Sequence, residues 1–233
     1  MNLKGFRYIA RGIKYKFLSA GYSESGEDLI ASYLLGNIVG SYVDVGAGHP
    51  VVGSNTYKLY RKGWSGIAVD GNKKLETSWK VLRPRDKFMP ILVGPIKDFV
   101  DFYQYENELR STANVNVKNL YTNENRKHVS KKVTQETLNT LFEQNVLTNK
   151  PVFLSLDIEG SEYQALSTFN FDRFAPKLIA IESWNLPWAS KSRSHELLQS
   201  NGYSLAAYSG LTAFYMHKSD LNEIIKSRPH FTE

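Results

Sequence analysis

Two acidic runs hold the side chains of this sequence that are best suited to chemistry. In the first run, Asp44 comes just before Gly46 and Gly48, at the end of a short apolar segment. Glycines at the end of a strand turn the chain sharply and expose backbone N–H groups to a ligand. A second carboxylate, Asp70, follows the turn by about 20 residues, the offset at which an acidic side chain meets a ribose. The pattern predicts a nucleotide-like ligand.

The chemistry of this ligand is indicated by what the turn lacks. A dinucleotide-binding turn needs a third glycine three positions after the second, and Val51 occupies that position. Asp44 would repel a pyrophosphate but attract a cationic amine. Adenosine with a cationic tail describes S-adenosylmethionine, so we expect this cofactor. The alternative is an ordinary α/β turn with a structural aspartate, which the combination of Asp44 with Asp70 disfavours.

The second run contains Asp157, Glu159, Gly160 and Glu162 and follows an apolar segment typical of a buried strand. Gly160 permits a tight turn, and Glu162 falls in the first turn of the next helix. Beside a reactive methyl group, Asp157 could accept the proton of an attacking hydroxyl. We therefore predict that Asp157 is catalytic and that Glu159 and Glu162 contact the substrate. The alternative for the two glutamates is a favourable interaction with the helix dipole.

Three further side chains complete the predicted active site. His49 lies in the glycine turn and is a candidate base or substrate contact. Glu182 ends another apolar segment, and Trp184 after it offers an aromatic face to a sugar or a base. Asp157 and Glu182 are also candidate ligands of a divalent metal that would activate the hydroxyl. The sequence leaves both routes, base and metal, open.

The elements that position these side chains are predicted to be parallel strands. Asp44, Asp70, Asp157 and Glu182 each close an apolar segment. The carboxyl ends of parallel strands meet at one edge of a sheet, where ligands bind. Like charges gathered at this edge repel one another, so the arrangement requires a cationic ligand or a metal. The expected fold is α/β with a mostly parallel sheet.

Other segments carry weaker structural signals. Residues 203–208 and 212–217 are predicted to form an antiparallel hairpin at the sheet edge. Residues 88–93 and 129–133 are each expected to form one strand. The polar residues 106–128 lack periodicity and are interpreted as a lid near the ligand, with a solvated loop as the alternative.

The composition of the whole chain limits the classes of function. Its 233 residues, 42% of them hydrophobic, suit one domain, predicted over residues 21–233. The absence of cysteine excludes disulfides, thiolate metal sites and cysteine nucleophiles. No apolar run approaches a membrane span of about 20 residues, and no signal peptide is recognisable, so a cytoplasmic protein is expected. The net charge of +6 indicates an anionic partner, such as phospholipid, nucleic acid or a phosphorylated glycan carrier.

Residues 1–20 are predicted to form a basic amphipathic helix. Apolar side chains recur at three- and four-residue steps from Leu3 to Phe17, beside a basic stripe that includes Arg11 and Lys14. Such a helix could lie on an anionic membrane surface and make the protein membrane-peripheral. The alternative is a helix that packs on the domain and keeps its lysines in water.

The sequence also resembles the FkbM family of S-adenosylmethionine-dependent methyltransferases, from about Tyr22 to about Glu182. The motifs that carry the resemblance are S-x-x-G-E-D at 23–28, Y-V-D-V-G-A-G-H-P at 42–50, S-N-T-Y-x-L-Y at 54–60, G-W-x-G-I-x-V-D at 63–70, R-P-x-D at 83–86, S-T at 111–112, T-L at 137–138 and L-S-L-D-I-E-G-x-E at 154–162. One departure is Glu24, where the motif is expected to have Gln.

The resemblance implies a class I methyltransferase fold, a Rossmann-like three-layer sandwich around a mostly parallel seven-stranded sheet. It also implies methyl transfer to an oxygen, often a sugar hydroxyl, and so a saccharide or glycan acceptor. By the family pattern the glycine turn holds the methionine part of the cofactor, Asp70 holds the ribose and Asp157 lies near the methyl group. The residues expected to bind the cofactor are Asp44, Gly46, Ala47, Gly48, Asp70, Gly71, Asn72, Glu27, Asp28, Ser54 and Asn55.

Three other functions are less favoured. The main alternative is a non-catalytic binding module with the same fold, against which the intact Asp44, Asp70 and Asp157 argue. A dehydrogenase is disfavoured by Val51. Methylation of nucleic acid suits the net charge, but the sequence has no Pro-Pro-aromatic tetrapeptide, so a nucleic-acid partner is not expected. Nothing in the sequence predicts the oligomeric state.

Overall fold

The computed structural model describes residues 9–13, 21–105, 111–124, 127–144, 152–183 and 192–226. The strands are β1 Ser41–Val45, β2 Ser65–Val69, β3 Lys87–Met89, β4 Leu92–Val93, β5 Asp98–Tyr105, β6 His128–Glu136, β7 Val152–Leu156, β8 Leu178–Glu182, β9 Tyr203–Ser209 and β10 Thr212–His217. The helices are α1 Glu27–Leu35, α2 Tyr57–Arg61, α3 Glu76–Leu82, α4 Val115–Asn123, α5 Leu138–Gln144, α6 Glu162–Leu166, α7 Phe171–Phe174, α8 Arg193–Ser200 and α9 Lys218–Lys226.

Seven strands form the main sheet, in the order β3-β2-β1-β7-β8-β10-β9. The pairs among β3, β2, β1, β7 and β8 are all parallel, whereas β10 runs antiparallel to both β8 and β9. The expected α/β fold, with a mostly parallel seven-stranded sheet and an antiparallel hairpin at its edge, is confirmed. Because β1, β2, β7 and β8 are parallel neighbours, their carboxyl ends meet at one edge.

The two faces of the main sheet are covered by different helices. All five residues of β1 are buried, so its alternate side chains enter two cores. Val43 and Val45 pack with side chains of α5, α6, α7 and α8. Tyr42 packs on the other face with side chains of α1, α2 and α9. Asp44 shares the face of Tyr42 because side chains two residues apart point the same way, and this placement decides its role below.

The second sheet has three strands in the order β4-β6-β5 and was not expected. The single strand predicted over residues 88–93 is divided: Lys87–Met89 pairs with β2, and Leu92–Val93 pairs with β6. Pro90 lies at the break, where its missing N–H ends the ladder. The strand predicted over residues 129–133 is longer than expected because it pairs with β5 along its length.

The segment interpreted as a lid or loop contains a helix, so the absence of regular structure predicted for residues 106–128 was wrong for the part that α4 occupies. Asn114 caps α4, because its side-chain oxygen accepts the N–H of Asn116 at 2.9 Å. Val117 and Tyr121, four residues apart, form the buried side of α4. Residues 106–110 and 125–126 lie outside the described residues.

Within the predicted N-terminal helix, only residues 9–13 belong to the described part, and they are helical. Gly12 is buried there, close to the side chains of Leu82 and His49. Ile13, expected on the apolar face, is 48% exposed. None of the helices in the described ranges has the length and apolar character needed to span a membrane.

Candidate functional site

A cavity of about 720 Å³ opens at the carboxyl ends of the parallel strands. Asp70, Asp157 and Glu182, which follow β2, follow β7 and end β8, all line this cavity. The topology therefore brings together three of the four strand-end acids. The glycine turn after β1 forms part of the same wall, with Gly46, Ala47 and Gly48 as lining residues.

The N–H groups of the glycine turn are used inside the protein, contrary to the expectation that they would face a ligand. The amides of Gly46 and Ala47 both donate to the carbonyl oxygen of Val69, at 2.9 and 3.0 Å. The amide of Gly48 donates to the Asp70 carboxylate at 3.0 Å. Because these backbone N–H groups already donate within the protein, they are not available to bind a phosphate. The turn suits a ligand that does not need hydrogen bonds from backbone amides.

Gly46 is required by the packing of the second acidic run. Its φ is 77°, and a Cβ atom at this position would lie 1.6 Å from the carbonyl oxygen of Asp157. The missing side chain lets the turn after β7 lie directly against the turn after β1. The backbone of Asp157 is fixed further by donation of its N–H to the oxygen of Val45 at 3.0 Å.

Asp70 is held by backbone donors on both sides. Besides the Gly48 amide, its carboxylate accepts the N–H of Asn72 at 2.7 Å. A Cβ atom on Gly71 would lie 2.8 Å from Leu92 and 2.9 Å from Phe102, so this glycine lets the second sheet cover the cavity. Asn72, which was predicted to bind the cofactor, is 3% exposed and does not line the cavity. Its side chain instead caps a 3₁₀ turn by accepting the N–H of Lys74.

Asp44 lies behind the cavity wall instead of lining it. It is 3% exposed and accepts a hydrogen bond from the Thr56 hydroxyl at 2.5 Å. Burial raises its pKa, whereas the charge of Arg83 and the Thr56 bond act in the opposite direction. Ser54 is also buried and accepts a bond from Arg83 at 3.1 Å. Asn55 does line the cavity and donates to Ser155 at 3.3 Å.

The turn after β7 presents Asp157 and Glu159 to the cavity. Glu159 has a φ of 53°, a left-handed conformation that costs a residue with a Cβ about 1–2 kcal/mol. It is held by Tyr121, whose hydroxyl donates to its carboxylate at 2.9 Å, and by Thr112, whose hydroxyl donates to its carbonyl at 3.2 Å. Backbone strain of this kind is most often found at functional sites.

Glu162 is turned away from the cavity, which corrects its prediction as a substrate contact. Its carboxylate accepts the N–H groups of Ile158 at 3.0 Å and Gly160 at 3.2 Å, and it is 7% exposed. Glu162 therefore organises the turn that carries Asp157 and Glu159. Burial raises its pKa to about 7, and the charge of Glu182 adds to the rise.

Asp157 is exposed to the cavity but surrounded by protein on its other sides. Removal from bulk water raises its pKa well above the ordinary range, and the charges of Glu182, Glu159, Glu162 and Asp44 raise it further. The site thus collects several carboxylates within one cavity, and like charges at this distance repel one another. A cation in the cavity would relieve this repulsion.

His49 lines the cavity, so its predicted contact with the substrate stays a prediction, whereas its hydrogen bonds argue against a role as base. Its Nδ1 accepts the N–H groups of Val51 and Val52 at 3.1 and 3.0 Å. The neutral ring then carries its proton on Nε2, on the edge that faces Gly12. Neither nitrogen has a lone pair to offer a substrate hydroxyl.

The start of α1 supplies one rim of the cavity. Gly26, with a φ of 86°, precedes the helix, and Glu27 lines the cavity while its carboxylate accepts the N–H of Ser25 at 2.8 Å. Asp28 has no exposed surface and accepts bonds from Tyr22 and Ser23 at 2.9 and 2.8 Å. Its prediction as a cofactor contact is therefore corrected: it shapes the turn.

The tip of the β9–β10 hairpin closes the same rim from the other end of the chain. The Ser209 hydroxyl donates to the carbonyl of Ser25 at 2.6 Å. A Cβ atom on Gly210 would lie 2.6 Å from the Ser25 hydroxyl, so the tip lies directly on the start of α1. Leu211 and Thr212 continue the lining.

Helix α4 forms a wall that reasoning from the sequence missed. The Asn114 side chain donates to the carbonyl of Gly160 at 2.7 Å, and Val117 packs near the same glycine. The signal that could have found α4 is an Asn cap followed by Val117 and Tyr121 at a helical spacing. The second-sheet lining residues Leu92, Phe102 and Gln135 were also missed.

Two predicted features of the site have no counterpart in the described structure. Trp184 lies outside the described residues. Across the described ranges, no group of three or more His, Cys, Asp or Glu side chains could hold a metal ion, so Asp157 and Glu182 do not belong to such a group.

The charged side chains that line the cavity are acidic. Its acidic lining residues are Glu24, Glu27, Asp70, Glu124, Asp157, Glu159 and Glu182. Among the described residues that line it there is no Lys or Arg, although the chain as a whole has a net charge of +6. The interior of the site and the exterior of the protein therefore have opposite electrostatic character.

Comparison with known proteins points to one family. A family model for the methyltransferase FkbM domain matches residues 44–205. A solved FkbM methyltransferase from Methylobacillus flagellatus KT is 16% identical with a TM-score of 0.48, and the match covers 84% of this chain and 48% of that chain. The chain thus spans about half the length of that structure.

A second solved structure is a precorrin-6y C5,15-methyltransferase from Geobacter metallireducens GS-15. It is 13% identical with a TM-score of 0.37, and the match covers 82% of this chain and 84% of that chain. No curated protein matches the sequence.

Proposed function

Because the chain belongs to the FkbM methyltransferase family, we propose that it transfers a methyl group from S-adenosylmethionine to a hydroxyl oxygen of a saccharide. The observation that carries this proposal is the set of carboxylates around one cavity, with the pKa of Asp157 raised by burial and by its acidic neighbours. A cationic sulfonium cofactor would bring a positive charge to these carboxylates. The residues present fit such a cofactor.

The cofactor would occupy the half of the cavity between the glycine turn and the second sheet. Asp70 is fixed by two backbone donors and keeps acceptor capacity for the ribose hydroxyls. Leu92 and Phe102 offer apolar surface to an adenine ring beside Gly71. The occupied amides of the turn suit this ligand because it has no phosphate.

Asp157 would act as the general base. Bound S-adenosylmethionine supplies an electrophilic methyl group and a good sulfonium leaving group, together with a positive charge. That charge offsets the repulsion from Glu182 and Glu159 and favours the anionic form of Asp157. The anionic Asp157 would then accept the proton of the acceptor hydroxyl.

The acceptor would lie between the start of α1, the hairpin tip and α4. Glu24, Glu27, Glu124 and Glu159 supply acceptors for hydroxyl or ammonium hydrogens there, and Asn116 adds an amide. A phosphate or carboxylate group would face these acids with no Lys or Arg from the described lining to pair with. We therefore propose a neutral or amine-bearing saccharide.

Calorimetric titration of S-adenosylmethionine tests the proposal. We expect binding by the wild type and a loss of about 1–3 kcal/mol in Asp70→Ala, because buried ribose hydroxyls lose their partner. Asp98→Ala, at an exposed position on β5, is the matched control and should bind like the wild type. Absence of binding by the wild type would contradict the proposal and favour a non-catalytic module.

A further inference from the structure

Arg83 lies at the centre of a buried polar network behind the glycine turn. The arginine directly follows α3, and its side chain has no exposed surface. Its guanidinium donates to the Asp86 carboxylate at 2.5 Å, to the Tyr42 hydroxyl at 2.7 Å and to the Pro50 carbonyl at 3.2 Å. The last bond ties Arg83 to the end of the glycine turn itself.

Thr56 connects this network to Asp44. The Arg83 Nη2 donates to the Thr56 Oγ1 at 3.0 Å, and Thr56 Oγ1 bonds the Asp44 Oδ2 at 2.5 Å. A guanidinium only donates, so the Thr56 oxygen is the acceptor in the first bond. Its single hydroxyl proton is then directed to Asp44. Both hydrogen bonds therefore donate in the same direction, from Arg83 to Thr56 and from Thr56 to Asp44.

The network holds one cation and two carboxyl groups. The positive charge of Arg83 faces two carboxylates, Asp86 in direct contact and Asp44 through Thr56. A third acid, Asp157, acts on Asp44 from the neighbouring strand end, and Ser155 on β7 donates a further hydrogen bond. In an interior of low dielectric these interactions are stronger than in water, so Arg83 and Thr56 favour the ionised form of Asp44.

We propose that Thr56 is a positioning residue for the methyl donor, because it links Arg83 to Asp44 and keeps Asp44 as an anion behind the glycine turn. This inference rests on the proposed function. The Asp44 anion lies behind the glycine turn and attracts the ammonium group in the methionine part of the methyl donor. Ligands without that ammonium group do not depend on the link.

The test compares Thr56→Val, which keeps the shape but removes the hydroxyl, with Thr56→Ser, which keeps the hydroxyl. Each is titrated with S-adenosylmethionine and with 5′-methylthioadenosine, which lacks the amino-acid part, from about pH 5.5 to about pH 8.5. We expect Thr56→Val to weaken S-adenosylmethionine binding about tenfold and to leave 5′-methylthioadenosine binding unchanged. Thr56→Ser should match the wild type with both ligands.

The pH dependence of ligand binding distinguishes two roles of Thr56: keeping Asp44 ionised, and supporting the fold. Loss of a bond that favours the ionised form makes Asp44 take up its proton at a higher pH. The pH below which S-adenosylmethionine binding declines should therefore move upward in Thr56→Val and stay in place in Thr56→Ser. Equal loss of both ligands, or an unchanged profile, would overturn the inference. A wild type that binds neither ligand overturns the proposed function instead.

Discussion

Asp157 combines two properties that a general base for a sugar hydroxyl needs. It faces the cavity, and burial together with the charges of Glu182 and Glu159 raises its pKa well above the ordinary range of an aspartate. His49, the other candidate, uses Nδ1 to accept two backbone N–H groups. In the proposed function, Asp157 is therefore the group that takes the proton.

Asp157→Asn is predicted to lower kcat by about 10²–10⁴-fold. Asparagine keeps the shape and hydrogen bonds of the turn but cannot accept a proton at neutral pH. The measurement is steady-state methyl transfer to an acceptor under saturating donor. Asp101→Asn, which removes a surface ion pair with Lys132, is the control and should keep the wild-type kcat. A similar kcat in Asp157→Asn would assign the proton to another group.

Glu162 makes stability depend on pH. Burial raises its pKa to about 7 from 4.5, so the folded protein holds this proton more tightly than the unfolded chain does. The resulting stability is complete below about pH 4.5 and is lost as pH rises to about 7, a change of about 3 kcal/mol.

Glu162→Gln should remove this pH dependence, because glutamine accepts the N–H groups of Ile158 and Gly160 without ionising. We expect the variant to be more stable than the wild type by up to about 3 kcal/mol at pH 8 and equally stable near pH 4.5. Urea unfolding at both pH values measures the difference. Glu223→Gln, at an exposed position of α9, should show no such gain. A constant difference between variant and wild type at all pH values would exclude the titration of Glu162.

For single residues, the sequence predicted where an acidic residue lies in the fold better than it predicted which groups its side chain contacts. Asp70 and Asp157 follow apolar runs, so their place at the sheet edge could be derived from the chain alone. Asp28 and Glu162 are also acids in the motifs of the sequence, but their carboxylates accept backbone N–H groups of nearby turns. The direction of a side chain within a turn depends on φ values, such as the 53° of Glu159, which residue types do not specify.

Among the helices and strands, α4 forms the wall of the cavity next to the proposed acceptor. It is attached to the turn after β7 through Asn114, Thr112 and Tyr121, which bond Gly160 and Glu159. The apolar runs of the main sheet could be read from the sequence. Strands were predicted within residues 88–93 and 129–133, but their pairing into a second sheet was not, because β4, β5 and β6 pair across distant parts of the chain. Helix α4 was missed because its segment is mostly polar.

Asn114→Asp is predicted to loosen this wall without unfolding α4. Aspartate still caps the helix, but it cannot donate to the Gly160 carbonyl and places a negative charge beside it. We expect faster amide hydrogen exchange across residues 115–123 and a KM for the acceptor raised about tenfold. Asn119→Asp adds the same charge at an exposed position of the same helix and is the control. Unchanged exchange in Asn114→Asp would show that the bond to Gly160 does not hold the helix.

For the whole molecule, net charge gives a misleading view of the site. The chain carries 29 Lys and Arg against 23 Asp and Glu, which suggested an anionic partner. The described lining of the cavity contains acids and no Lys or Arg. Composition reports the sum of charges, whereas the fold separates the basic exterior from the acidic interior. A binding preference inferred from the sum applies to the exterior only.

An acceptor that carries a phosphate or carboxylate should therefore be methylated more slowly than its neutral counterpart. We expect a difference of about tenfold at low salt, which narrows as ionic strength rises because salt screens the repulsion. Rates with a neutral saccharide and its uronic acid, at two salt concentrations, measure the effect. Glu24→Gln should reduce the discrimination. Preference for the acidic acceptor would contradict the proposed acceptor class.

The contact between the hairpin tip and the start of α1 bears on how the protein is made. Ser209 and Ser25, joined by a hydrogen bond, are 184 positions apart, and β10 enters the sheet between β8 and β9. A nascent chain emerges from the ribosome amino terminus first, so its acidic cleft stays incomplete until the hairpin has been synthesised. In the proposed function, the methyl donor would therefore stabilise the finished fold by mass action without assisting its early stages.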